Sequence, residues 1–235
     1  MFKSLVVLLL SLVLSTPLLA NDKVIRSSLE KQFPGAKVQS VVKTPYAGLY
    51  EVFMEGQLFY TDANARYLVV GKIIDAKTRA NLTEQRSEDL LRVSFASLPL
   101  ENALKVVRGN GSRKIAVLSD PDCPFCKQYE EDLARLENVT IYTFIFPIEG
   151  LHPSAAEKSR KIWCAPNRVE AWDQWMRRGV LPQNAGNCDN PIAKNVQLGS
   201  RLGVNGTPTT IFADGRRVAG RIPAPQLEQR LAAQK

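Results

Sequence analysis

Two cysteines three residues apart, in Cys123-Pro124-Phe125-Cys126, are the residues of this sequence best suited to chemistry. Such a pair at the start of a helix can close and reopen a small disulfide loop. The first sulfur would sit beside unpaired helix N–H groups and the positive end of the helix dipole. Both favour the thiolate, the form that attacks another sulfur. The second sulfur can then attack a mixed disulfide and release what the first has captured. Pro124 suits the first turn because it lacks the N–H that would be orphaned there. An apolar strand at Ile115–Leu118 and a turn at Ser119-Asp120-Pro121-Asp122 lead into the pair. That is the setting in which a redox pair is expected, beside a βαβ pattern.

Other chemistries fit less well. A zinc site would want a second Cys/His pair, but Cys164 and Cys188 are not paired in sequence and His152 is the sole histidine, so no metal or cofactor is expected. A purely structural 123–126 disulfide closes too small a loop to gain much entropy. Cys164 and Cys188 read as a separate structural bridge, whose loop of about 25 residues would stabilise by roughly 3 to 4 kcal/mol. The alternative is that they exchange electrons with Cys126. His152 could pair with a cysteine in a protease-like dyad, but it precedes Pro153 at an expected helix start. Asp120 and Asp122 read as turn residues, with assistance in proton transfer as the alternative. Trp163, Trp172 and Trp175 fall at helical spacings and read as core. Phe125 and Tyr129 flank the active sulfur and could line an apolar client surface. Gly206-Thr207-Pro208-Thr209 leads into a strand, where a proline raises the possibility of a cis bond, although spacing alone would give an ordinary turn.

The elements that must position these residues follow from hydropathy patterning. Lys3, the aliphatic run Leu5–Leu14, then Ser15, Thr16, Pro17 and Ala20 have the layout of a signal peptide over residues 1–20, cleaved near Ala20. The competing reading is an uncleaved anchor, although the run is short for a membrane span. Export suits the cysteines, because disulfides persist outside the cytosol. Residues 21–80 read as a small α+β unit without Cys or His. It has a helix over 22–33 carrying Val24, Ile25, Leu29 and Phe33, then short β runs at Val38–Val42, Leu49–Met54, Leu58–Tyr60 and Tyr67–Ile74. Tyr46, Tyr50, Phe53, Phe59 and Tyr60 read as its sheet core or as self-association contacts. A sheet so small leaves its edges open, which self-association would cover. Residues 81–108 read as a linker helix, restarting at Leu98 and running through Val107. Residues 109–235 read as a second domain. It holds a βαβ unit, a mostly helical stretch over 153–202 interrupted near Pro182–Asn190, a hairpin about Asp214-Gly215 and a closing helix over 224–234. The chain carries a net charge of +8, but its Lys and Arg are scattered, which argues against nucleic acid.

The CxxC at a helix start, the Thr-Pro before a late strand and the final helix resemble the thioredoxin superfamily. With the signal peptide, the cysteine-free first domain, the linker and the insertion carrying Cys164 and Cys188, the whole chain resembles the DsbC/DsbG family of periplasmic thiol:disulfide isomerases. The resemblance implies a thioredoxin-like α/β domain with a helical insertion, preceded by a small α+β (cystatin-like) dimerisation domain. It implies Cys123 as nucleophile, Cys126 as resolving cysteine, Pro208 as a cis-proline with Thr207 beside it binding substrate, and a structural Cys164–Cys188 disulfide. The implied partners are misfolded exported proteins with wrong disulfides, a second copy of the chain in a homodimer, and an inner-membrane reductase of DsbD type. The implied location is the periplasm.

Two departures stand out. Pro124-Phe125 replaces the Gly-Tyr of DsbC-type isomerases and is closer to DsbG, which leaves a disulfide oxidase or sulfenic-acid reductase as an alternative. A non-redox dimeric holdase chaperone is the alternative from another class. Thioredoxin also has a buried acid on the strand before its motif, and Lys114–Leu118 has none.

Overall fold

The computed structural model describes residues 19–233. Residues 1–18 of the expected signal peptide lie outside the described residues. The chain divides into two compact units, Met1–Thr83 and Glu84–Lys235.

In the first unit, α1 (Leu19–Gln32) precedes an antiparallel meander of β1 (Val38–Lys43), β2 (Tyr50–Met54), β3 (Gln57–Thr61) and β4 (Leu68–Val69). Glu55 and Gly56, both at positive φ, make the two-residue turn that reverses β2 into β3. Ile25 and Leu29 of the helix are fully buried, against Val38, Tyr50, Val52 and Met54. Val24 and Phe33 are exposed, because one stripe of the helix faces the sheet and Phe33 lies past its end. Tyr50, Phe53 and Tyr60 are core residues, whereas Tyr46 is exposed and Phe59 only partly buried. The expected strand over Tyr67–Ile74 shrinks to Leu68–Val69, since only those residues find a partner in β3; Val70 is exposed.

The expected linker helix over 81–108 is corrected. Its helix α2 covers only Leu82–Leu90, followed by 3-10 turns at Phe95–Ser97 and Leu100–Asn102. Leu104–Arg108 then forms β5 instead of continuing a helix through Val107. Burial alternates along it, with Leu104 and Val106 inward and Lys105 and Val107 outward. The pairing of β5 with β7 (Val139–Ile145) outweighs a helix-friendly local composition. The second domain therefore takes in residues before 109.

In the second unit, β6 (Arg113–Ser119), α3 (Pro124–Ala134) and β7 form the βαβ unit, with β6 and β7 parallel. The helices α4 (Ala155–Trp163), α5 (Arg168–Arg178) and α6 (Ile192–Arg201) make the insertion. The hairpin β8 (Thr209–Phe212) and β9 (Arg217–Ala219) and the closing helix α7 (Ala224–Ala232) follow. The sheet order is β5-β7-β6-β8-β9. Its central strand shows the two-residue period of a sheet covered on both faces. Ile115 and Val117 pack toward α3 and α7, whereas Ala116 and Leu118 pack toward α6 and the segment containing Leu98. A disulfide joins Cys164, which caps α4, to Cys188 in the coil before α6.

Helix α6 reaches the sheet through Gly199, where an added Cβ would overlap the buried Phe146 ring. Gly199→Ala is expected to lower stability by about 1–3 kcal/mol through overpacking. Urea unfolding checks this, and an unchanged midpoint would mean that Phe146 can yield its place.

Candidate functional site

The two cysteines stand at the carboxyl end of the buried central strand. Cys123 is the N-cap residue of α3 in extended conformation, and Pro124 occupies the first helical turn. The turn before it is tied down by Asp120, a fully buried residue. Its carbonyl accepts from Cys123 N at 3.3 Å, and its carboxylate accepts from Asp122 N at 2.8 Å and from Ile148 N at 2.7 Å. His152 Nδ1 lies 3.1 Å from Asp120 Oδ2, out of line for a good hydrogen bond. His152 thus faces this carboxylate and not a cysteine. Asp120, read from sequence as a turn residue, is an interior anchor between the motif and the β7–α4 loop. Asp122 sits at the rim, where Lys158 Nζ reaches both of its oxygens at 2.7 and 2.8 Å.

The Thr207–Pro208 peptide bond is cis. It brings the Thr207 carbonyl within 3.4 Å of Cys123 Sγ. Helix α3 is held to the strand after Pro208 by Tyr129, whose hydroxyl lies 2.8 Å from Thr210 Oγ1. Tyr129 is 1% exposed and so lines no client surface; of the two aromatic residues, Phe125 is the exposed one, at 60%. Asp132, one turn farther along α3, accepts from Arg221 Nε at 2.6 Å and from Ala224 N at 3.1 Å, fixing α3 against the start of α7.

Cys123 and Cys126 are both free and both buried, yet their environments differ. The hydrogen bond from Cys126 is the largest influence on Cys123 and lowers its pKa to about 5. Burial opposes this, and bonds from Thr207 and from the backbone N–H groups of Cys126 and Phe125 add to it. Cys126 moves the other way: desolvation at 0% exposure, followed by the neighbouring Cys123, pushes its thiol far up. One negative charge thus sits on the outer sulfur and one proton on the inner.

The insertion supplies the wall behind the pair. Trp163, Trp172, Met176, Ile162 and Ile145 form one apolar cluster with both cysteines. Trp172 Nε1 donates to Glu130 Oε1 at 2.8 Å, and Trp175 Nε1 donates to the Pro121 carbonyl at 2.7 Å. Lys127 and Lys158 lie 4.8 and 4.9 Å from the Trp175 ring centroid. Trp163 and Trp172 are core, as their spacing suggests, and Trp175 is a partly buried rim residue. Glu130 went unnoticed in the sequence; its place four residues after Cys126 on α3 was the available signal. Among the described residues, no three His, Cys, Asp or Glu side chains converge as metal ligands.

Comparison with known proteins follows the same division of the chain. Residues 100–235 match the thioredoxin-like domain, and residues 16–84 match the disulfide bond isomerase protein N-terminal domain. The chain is 42% identical over 207 residues to the probable thiol:disulfide interchange protein DsbC of Bordetella pertussis, covering 88% of this chain and 73% of that one. It is 28% identical over 216 residues to DsbC of Escherichia coli K12, covering 89% of this chain and 87% of that one. A crystal structure of a disulfide interchange protein from Neisseria gonorrhoeae is 50% identical, with a TM-score of 0.55, over 57% of this chain and 96% of that one. With both of its halves matched, the chain belongs to the DsbC family of thiol:disulfide interchange proteins and is a thiol-disulfide oxidoreductase.

Proposed function

We propose that this protein reshuffles incorrect disulfides in exported proteins, with Cys123 as nucleophile and Cys126 as resolving cysteine. The observation that carries the reading is the inequality of the two sulfurs. A thiol lowered to about 5 is almost wholly thiolate at neutral pH and ready to attack. Its sulfur forms a bond to one client sulfur, and the other client sulfur leaves as a thiolate. A low pKa also makes Cys123 a good leaving group. A client thiolate can therefore attack the mixed disulfide, form a new client disulfide and expel Cys123 with no net change in electrons. Direct escape through Cys126 gives a reduced client and an oxidised motif, and it is restrained because Cys126 holds its proton. That restraint leaves time for reshuffling and favours isomerase over simple reductase.

The other parts have matching roles. Thr207 and the cis Pro208 would offer backbone to an extended client segment beside Cys123, and exposed Phe125 would meet its apolar side chains. The first unit, with β1 and β4 as open edges, would be the cystatin-like dimerisation domain. The Cys164–Cys188 bridge would hold the insertion together without taking part in exchange. Family membership supports a periplasmic location, an inner-membrane reductase of DsbD type that keeps the motif reduced, and an accompanying chaperone activity.

The test is refolding of a scrambled multi-disulfide protein by catalytic amounts of the mature chain with a trace of reductant. Rescue that is lost in Cys123→Ala is the expected result. No rescue, with the motif still reacting with dithiothreitol, would move the assignment to the oxidase or sulfenic-acid reductase suggested by Pro124-Phe125. Full rescue by Cys123→Ala would mean a holdase. Alkylation of Cys123 against pH should have its midpoint near 5, and Cys126→Ala should move it up toward the ordinary thiol value of about 8.5 by removing the main donor. A midpoint that stays put would show that other groups hold the charge. Replacing Cys164 and Cys188 together by Ala should cost about 3 kcal/mol in unfolding and leave the Cys123 alkylation profile intact; a shifted profile would implicate that bridge in exchange.

A further inference from the structure

Cys126 must lose a proton before it can resolve a mixed disulfide, and its surroundings oppose that loss. It is fully buried, and the strand that precedes the motif, Arg113–Ser119, carries no acid. The Asp120 carboxylate is engaged by two backbone N–H groups and faced by His152. Glu130 stands one turn below Cys126 on α3. Residues four apart share a helix face, with Cβ atoms about 5–6 Å apart. Helical side chains also lean toward the N-terminus, which for Glu130 is the direction of the turn carrying Cys126. Its carboxylate accepts from Trp172 Nε1, and Trp172 lines the same apolar cluster as both cysteines.

We propose that Glu130 is the proton acceptor for Cys126 and sets the pH above which the resolving step opens. The step balances: the Cys126 proton passes to the Glu130 carboxylate, and the Cys126 thiolate attacks Cys123 Sγ in the mixed disulfide. The Cys123–client bond breaks, the Cys123–Cys126 bond forms, and the client sulfur leaves as a thiolate. This inference rests on the reading of Cys126 as the resolving cysteine. The carboxyl is suited to the task, because desolvation pushes its pKa up to about 7, against the bond from Trp172 and the charge of Arg177. The charged groups acting on it are Arg177 and Asp173 of α5 and Arg108 of β5, and its own charge acts on Tyr129 of α3. Arg177 also donates to the Glu130 carbonyl at 3.1 Å, and Arg108 Nε is buried without a partner.

Both steps can be followed in one stopped-flow trace by mixing the reduced full-length protein with 5,5′-dithiobis(2-nitrobenzoate). Attack by Cys123 releases the first thionitrobenzoate, and attack by Cys126 releases the second. In the wild type the second phase should rise with pH and level off above about 7. In Glu130→Gln, which keeps an oxygen for Trp172, it should be at least about tenfold slower at pH 8. It should also climb with pH without levelling, while the first phase keeps its profile. Trp172→Phe removes a donor that favours the charged carboxylate, so its levelling point should move to higher pH. A second phase in Glu130→Gln as fast as wild type or faster, or an unmoved levelling point in Trp172→Phe, overturns the proposal. A wild-type trace that matches Cys126→Ala overturns the resolving role of Cys126 and this inference with it; a wild-type second phase that Cys126→Ala lacks but Glu130→Gln retains unchanged overturns this inference alone.

Discussion

The hydrogen bond from Cys126 to Cys123 is the interaction on which the rest of the site depends. It requires one sulfur at the mouth of α3 and the other inside it, and a helix of fixed depth and rotation provides both. Depth is set by the apolar contacts of Tyr129, Leu133 and Leu136 with Ile115, Val117 and Phe212. Rotation is set by polar pairs that the same helix buries: Tyr129 with Thr210, and Asp132 with Arg221 and the Ala224 N–H. Each buried polar atom is costly without its partner, so these pairs narrow the helix to one register. The Tyr129–Thr210 bond acts on both halves of the site, because Thr210 lies two residues past the cis Pro208.

The loop ahead of Cys123 obeys the same logic. A carboxylate at 0% exposure needs donors, and Asp120 receives two backbone N–H groups from different segments. It therefore joins the end of β6 to the segment leaving β7, the two parallel strands that flank the crossover helix. A loop fixed at both ends keeps Cys123 N directed at the Asp120 carbonyl, and the Cys123 sulfur beside Thr207, without help from a bound client. The frame thus holds in place a sulfur whose charge is favoured chiefly within the motif, by Cys126 and the backbone of Phe125 and Cys126.

What could be read in the sequence was local. A Pro in the first turn after a cysteine, an apolar strand before it, and the Asp214-Gly215 turn between two β runs state their conformations within a few residues, and the structure agrees. What could not be read depended on distant partners. Leu104–Arg108 looked helical because nothing nearby announces that β7, about 35 residues later, needs an edge partner. Tyr67–Ile74 looked like a strand although only two of its residues pair with β3. Asp120 looked like a turn residue because its burial is conferred by Ile148 and its neighbours, 28 residues away. Glu130 looked like one more charge on a helix surface, and only Trp172, 42 residues farther on, marks it as something else.

The insertion explains why a single sheet with one crossover helix is not enough. Helices α4 and α5 cover the side of α3 that the sheet leaves open, and their tryptophans convert the region around Cys126 from half-wet surface into apolar interior. That burial separates the two thiols by raising the inner one, and it also pushes the Glu130 carboxyl up to about 7. Asn195 of α6 closes the same wall from the other end, donating to the carbonyls of Ile145 and Asn102. The Cys164–Cys188 bridge spans α4 and the coil before α6, so it ties together the segments that must stay packed for Trp163 and Ile192 to remain in the cluster. The second cysteine pair thus holds together the wall that buries the first.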